Sequence, residues 1–175
     1  MATDFFNIGY LKNGSEIQQE GFAVLEKTNI LELLKSFDAV LAGTLPLDIF
    51  IAGSDLDILC YALDLTLFES YIVKHFSHHT GFMIDRSTVN GIESVISEFH
   101  VSGFDFEIFG QSIPTRKQTA YQHLIIEEKI LTLNGAEFRN QIIALKKSGL
   151  KTEPAFAQLL GLEGNPYDAL LRLTL

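Results

Sequence analysis

Residues 38–62 read DAVLAGTLPLDIFIAGSDLDILCYA, and the reading of this stretch decides the fold. An apolar run, Ala39 to Ala42, ends in Gly43-Thr44, and ten residues after that threonine Ser54 introduces Asp55-Leu56-Asp57 and a second apolar run. Side chains alternate faces along a strand, so Asp55 and Asp57 share one face, roughly 6–7 Å apart, while Leu56, Ile58 and Cys60 point the other way into a core. Two carboxylates on such an apolar strand are costly to desolvate without a cation. A hard divalent ion such as magnesium, held by one or two carboxylates and by substrate phosphates, offsets that cost. The Gly43-Thr44 corner supplies close backbone approach and a hydroxyl at the neighbouring strand end, where a phosphate can sit.

Downstream, a helix opens at Asp64 or Thr66 and runs to about Phe76, with Leu67, Phe68, Tyr71, Ile72 and Phe76 on one side. Three strand-like runs follow at 81–89, 92–101 and 103–109. Asn90-Gly91 joins the first two as a two-residue hairpin of type I′, and Ser102-Gly103 turns the second into the third, so this part is a meander. Asp105 and Glu107 share a face of the last strand by the same period of two. From Thr115 the period becomes helical: 116–133, 135–148, 153–160 and 166–173, with Gly149 and Gly161 at expected helix ends and Asn165-Pro166 as a helix start. Upstream, 4–12 and 15–27 read as helices, the second capped by Ser15 and Gln18, and Asn29 caps a short helix to Lys35 before a strand at 38–43. The fold class is therefore α+β: a small mixed sheet flanked by helices with a C-terminal helical appendage. The expected division is a sheet domain with N-terminal helices at 1–112 and a helical part packed on it at 113–175.

The glycine corner, the spacer, Asp-x-Asp at a strand start and a third acid on a later strand resemble the nucleotidyltransferase fold of the DNA polymerase beta type. More closely, the chain resembles an uncharacterised bacterial family of nucleotidyltransferase-like domains over about residues 37–173. The likeness is carried by Gly43-Thr44-x-Pro46, by Ser54-Asp55-Leu56-Asp57, and by Glu107-Ile108-Phe109-Gly110-Gln111 with Pro114, Gln118, Ala120-Tyr121 and His123. Lys151 to Phe156 and Gly164-Asn165-Pro166-Tyr167 extend it. The resemblance implies Asp55, Asp57 and Glu107 as catalytic and magnesium-binding acids. It implies Gly43, Thr44 and Ser54 at the nucleotide phosphates, and Gln111, Gln118, Tyr121 and His123 on the acceptor side. Glu107 matches the family-like segment and lies deeper in its strand; Asp105, nearer a turn, is the alternative third acid.

Two positions depart from that pattern. Active members of the superfamily commonly carry an Arg or Lys between the corner and the Asp pair, whereas residues 45–53 hold no cation and one further acid, Asp48. No Lys or Arg occurs between Lys35 and Lys74, so a nucleotide's charge must be met by metal and by Lys74, Arg86, Arg116 or Lys117. Gln122 stands where the family commonly has a basic residue.

With 13 basic and 22 acidic residues the chain carries a net charge of −9, which argues against nucleic acid held by bulk electrostatics and favours a small-molecule or protein acceptor. The single cysteine, Cys60, excludes an internal disulfide framework and suits a reducing compartment. No basic leader follows Met1 and no apolar stretch is long enough to span a membrane, so the expected location is the cytoplasm. His75 and His79 have zinc-pair spacing but no third ligand nearby in sequence. Lys146-Lys147 and Arg116-Lys117 read as solvated pairs. The leading expectation is magnesium-dependent transfer of a nucleotidyl group from a nucleoside triphosphate to a hydroxyl. The alternative is a non-catalytic nucleotide- or partner-binding module of the same fold, including a toxin–antitoxin type component.

Overall fold

The computed structural model describes residues 3–174. Five strands make one sheet in the order β1–β2–β5–β4–β3. They are β1 Val40–Ala42, β2 Asp55–Tyr61, β3 Thr80–Val89, β4 Ile92–Val101 and β5 Phe104–Gln111. β2 and β5 run parallel and the other neighbours are antiparallel. The helices are α1 Glu16–Thr28, α2 Ile30–Leu33, α3 Leu65–Phe76, α4 Thr119–Lys147, α5 Thr152–Leu160 and α6 Pro166–Leu171. The α+β class and the mixed sheet flanked by helices are as expected.

The meander forms because both of its turns can hold positive φ at two successive residues, Asn90 (52°) with Gly91 (79°) and Ser102 (51°) with Gly103 (89°). Two expected elements differ. The stretch 4–12 is not an α-helix; a 3₁₀ helix spans Ile8–Asn13, and Asn7 Oδ1 accepts the Gly9 N–H at 2.8 Å, a local bond that competes with regular helix. β1 is shorter than 38–43 because Asp38 and Gly43 both have positive φ, 49° and 68°, and close the strand at each end. The two helices expected at 116–133 and 135–148 are present within the span α4, whose backbone is non-helical at Gly135 (φ 76°, ψ −164°) and parts them there.

Strand alternation sorts the apolar residues into two cores. Leu41, Leu56, Ile58, Cys60, Phe106 and Ile108 pack on one face against α1, α2 and α3. Val40, Ala42 and Leu59 face the other way, into a second core closed by Leu124, Ile130, Ile142, Phe156 and Leu170 from α4, α5 and α6. The sheet is thus a middle layer, and Asp55 and Asp57 belong to the face that the C-terminal helices cover.

The first core also fixes β5. A methyl group at Gly110 would lie 2.1 Å from Phe68 Cε1, so only glycine lets this strand settle onto α3. Gly110→Ala is expected to cost about 1–3 kcal/mol as the core shifts to admit it, read as a lower urea midpoint with an unchanged slope.

Candidate active site: an acidic sheet floor under a helical wall

The parallel pairing of β2 with β5 sets Asp57 opposite Glu107 and Asp55 opposite Asp105. All four acids therefore project from one face, and register does not separate the two candidates on β5. Their surroundings do. Glu107 lines a cleft of about 710 Å³ together with Asp55, Asp57, Gly43, Thr44 and Ser54. Asp105 lies outside that cleft, exposed, with its Oδ1 2.8 Å from His100 Nδ1.

Asp57 lies against the glycine corner. A Cβ at Gly43 would fall 1.7 Å from Asp57 Oδ2, and Gly43 already has φ +68°, so both space and backbone conformation demand glycine there. Burial, then the charges of Asp55, Glu107 and Glu153, push the Asp57 carboxyl up to about 8, against a smaller opposing effect of Lys146. Burial, Asp55 and Glu98 also raise Glu107, which Lys151 partly offsets. The floor is a set of acids that repel one another.

The loop between β1 and β2 is held from two sides. Gln18 of α1 donates its Nε2 to the carbonyls of Leu45 (2.9 Å) and Pro46 (3.3 Å), and its Oε1 accepts the Ser15 N–H at 3.2 Å. Lys146 of α4 donates its Nζ to the Ile49 carbonyl at 2.7 Å. Asp48, the extra acid of this loop, is turned out of the cleft and accepts a hydrogen bond from the Ser15 hydroxyl. Ser54 Oγ accepts the Ile51 N–H at 3.2 Å, whereas the Thr44 hydroxyl is buried with no partner at the cleft edge.

Of the expected acceptor-side residues, Gln111, Gln118 and His123 line the cleft and Tyr121 does not. Tyr121 is buried beside Phe6, and its hydroxyl accepts from Arg116 Nη1 at 3.2 Å. Gln118 is a brace: its Nε2 reaches the carbonyls of Cys60 (2.8 Å) and Ile113 (3.0 Å). Gln111 donates to Ser94 Oγ at 2.9 Å. His123 Nε2 lies 3.0 Å from the Tyr167 carbonyl and its Nδ1 lies 3.5 Å from Glu153.

The expected cations are elsewhere. Lys74, Arg86, Arg116 and Lys117 do not line the cleft. Arg86 is tied at the surface to Glu69 and Glu93, and Arg116 lies over the Phe6 ring at 4.0 Å. The cleft's lysines are Lys146 and Lys151. Lys146 is not solvated, as its place in a Lys-Lys pair suggests, but 6% exposed, and burial pulls its ammonium down to about 8. Glu127, Glu153 and Asp168 complete the helical wall. The only sequence signal for Glu127 is its place one helical turn after His123; Lys146 has none, because Ile49 is 97 residues away. The histidines of the α3 end stack on rings, His75 on Tyr71 (4.2 Å) and His79 on Phe99 (4.9 Å).

Among the described residues no three His, Cys, Asp or Glu side chains already form a metal-holding group. The donors nonetheless suit magnesium chemically. Asp55, Asp57 and Glu107 offer only hard oxygen, and the upward shifts of the last two, both partly caused by Asp55, report charge that a divalent ion would neutralise.

The fold is nucleotidyltransferase-like. In solved structures the same fold is found in the Cid1 poly(U) polymerase with magnesium and 3′-dATP bound (TM-score 0.54, 14% identity, 89% of this chain and 48% of that one). It is found in the GLD-2/RNP-8 complex (0.56, 11%, 87% and 61%) and in the polymerase core of TRAMP, an RNA surveillance complex (0.53, 12%, 93% and 50%). This chain spans about half to three-fifths of the length of those proteins. By sequence, residues 23–173 match the family described as "Domain of unknown function (DUF4269)", and the chain belongs to it. No curated protein matches it in sequence.

The Asp57 shift carries a stability consequence. Its folded value of about 8 lies above its unfolded value, about 3.9, so folding favours the protonated form. That contribution is complete below about pH 4 and lost as pH rises through about 8. Without metal, the melting temperature should fall between pH 5 and 8. Asp57→Asn should flatten the fall and melt roughly 2–8 °C higher at pH 8, which corresponds to about 1–2 kcal/mol. Millimolar magnesium should raise the wild type more than the variant. A drop in stability in Asp57→Asn would show instead that the carboxylate supports the fold.

Proposed function

We propose that this chain is a magnesium-dependent nucleotidyltransferase that moves a nucleoside monophosphate from a triphosphate to the hydroxyl of a small molecule or protein. The observation that carries this reading is the β2–β5 register, which sets Asp55, Asp57 and Glu107 on one cleft floor beside a corner that admits only glycine. Asp55, Asp57 and Glu107 would hold the ion. When bound, the metal supplies charge neutralisation on the phosphates, the main requirement of such transfers.

The chain's own groups do the rest. The corner of Gly43 and the unpartnered Thr44 hydroxyl receive a phosphate, and Lys151 and Lys146 stand where residues 45–53 offer no cation. The acceptor oxygen bonds to the α-phosphorus, the bond to the bridging oxygen breaks, and pyrophosphate leaves with that electron pair. The hydroxyl proton passes to Glu107, which lines the cleft on β5 directly opposite Asp57. The limits on location are few: among the described residues no helix is long and apolar enough to cross a membrane.

One observation favours a non-catalytic nucleotide- or partner-binding module instead. Lys146 already serves the Ile49 carbonyl, which leaves Lys151 as the cation of the cleft without an internal hydrogen bond among the described residues.

Thermal shift with each nucleoside triphosphate, with and without magnesium, separates the two readings. The transferase should be stabilised only by nucleotide and magnesium together. It should also pass label from an α-labelled triphosphate to an acceptor, with at least a 100-fold loss in Asp55→Asn, a fall of about 2.7 kcal/mol in transition-state stabilisation. Indifference to every nucleotide, with a partner protein recovered by pull-down, would favour the module.

A further inference from the structure

Six carboxylates line the cleft against two lysines, a formal excess of four negative charges. Three of them, Asp55, Asp57 and Glu107, form the floor. The other three come one from each C-terminal helix: Glu127 of α4, Glu153 of α5 and Asp168 of α6.

The positions of Glu153 and Asp168 have an explanation without a ligand, since each occupies the first turn of its helix, where negative charge is favourable. Glu127 has none. It sits mid-helix, 4% exposed, and its Oε1 is buried with no hydrogen-bond partner among the described residues. Lys146, the nearby cation, gives its hydrogen bond to Ile49 rather than to Glu127. A buried acceptor without a donor is unfavourable, and native proteins satisfy such atoms with protein, water or ligand. Burial and the charge of Glu153 hold the Glu127 carboxyl well above the ordinary carboxylate range, so its ionised form calls for a cation, and Glu153 and Asp168 on the same wall favour a cation over a phosphodiester. A primary ammonium fits: it brings three donors and no acceptor.

We propose that Glu127, Glu153 and Asp168 form the acceptor subsite, and that the acceptor is a small molecule that carries a protonated primary amine beside its reacting hydroxyl. The word acceptor rests on the transferase reading above; the ammonium site itself does not. The ammonium keeps its protons and takes no part in the bond exchange, which stays at the hydroxyl oxygen, the α-phosphorus and the departing pyrophosphate. Its role is to bind and orient.

Matched sugars test this. The glucosamine trimer and its N-acetylated counterpart share hydroxyls and linkage and differ in charge. Calorimetry at low salt, without nucleotide or metal, should show the free-amine trimer binding at least 10-fold tighter than the acetylated one. Glu127→Gln keeps the side-chain size and should retain wild-type circular dichroism and melting while losing that preference; Glu153→Gln should weaken it. Equal affinity for both trimers would overturn the inference, as would a folded Glu127→Gln that still prefers the amine, or tighter binding of oligouridylate than of the amine. Label transfer with magnesium and triphosphate then separates the two readings. Amine binding with no transfer to any acceptor would support the ammonium site and sink the transferase. Transfer to acetylated and free sugars at equal rates would sink the ammonium site and leave the transferase standing.

Discussion

The Asp57 carboxylate, laid against the backbone of Gly43 and repelled by Asp55 and Glu107, is the constraint on which the rest of the structure depends. A charge in that position is unfavourable in the free protein and invites a cation. Its placement needs several elements at once. β1 must be followed by a residue without a Cβ, β2 must start two residues before Asp57, and β5 must pair in parallel so that Glu107 comes alongside. The two-layer helical cover follows from the same alternation. Leu56, Ile58 and Cys60 anchor the strand from behind while the acids face the cleft.

The C-terminal helices do more than close the second core. They and Lys151, the residue before α5, supply the lysines of the cleft and three of its acids, so the charge balance of the site is set by residues that sit far along the chain from the Asp pair. Lys146 joins the two tasks. Its bond to the Ile49 carbonyl pins the β1–β2 loop to α4, and its charge opposes those of Asp57 and Glu127. Gln18 pins the same loop from the opposite side, through α1. The loop that follows the glycine corner is thus held by two side chains remote from it in sequence.

Much of the architecture was legible because it rests on local rules. Period two marks β2 and the meander, Asn90-Gly91 and Ser102-Gly103 mark their turns, and the change to a helical period marks α4 to α6. The helix expected at 4–12 failed for a local reason too, a side chain of Asn7 competing for the backbone. The site was legible in part. Asp55, Asp57 and Glu107 share a face by strand alternation, and the glycine corner stands in its spacing. Tyr121 was misplaced because helical spacing does not say which of two cores a tyrosine enters, and Phe6 and Arg116 claim it.

The amino-acid sequence by itself determined the periods, the turns and the chemistry of the acidic strand, because each depends on residues within a few positions of one another. Only the tertiary structure decided that Glu107 and not Asp105 enters the cleft. It alone decided that Lys146 is buried on the Ile49 carbonyl and that Glu127, Glu153 and Asp168 meet on one wall. Those outcomes depend on which helices cover which sheet face, and electrostatic partners chosen by packing across tens of residues leave no periodic trace in the chain.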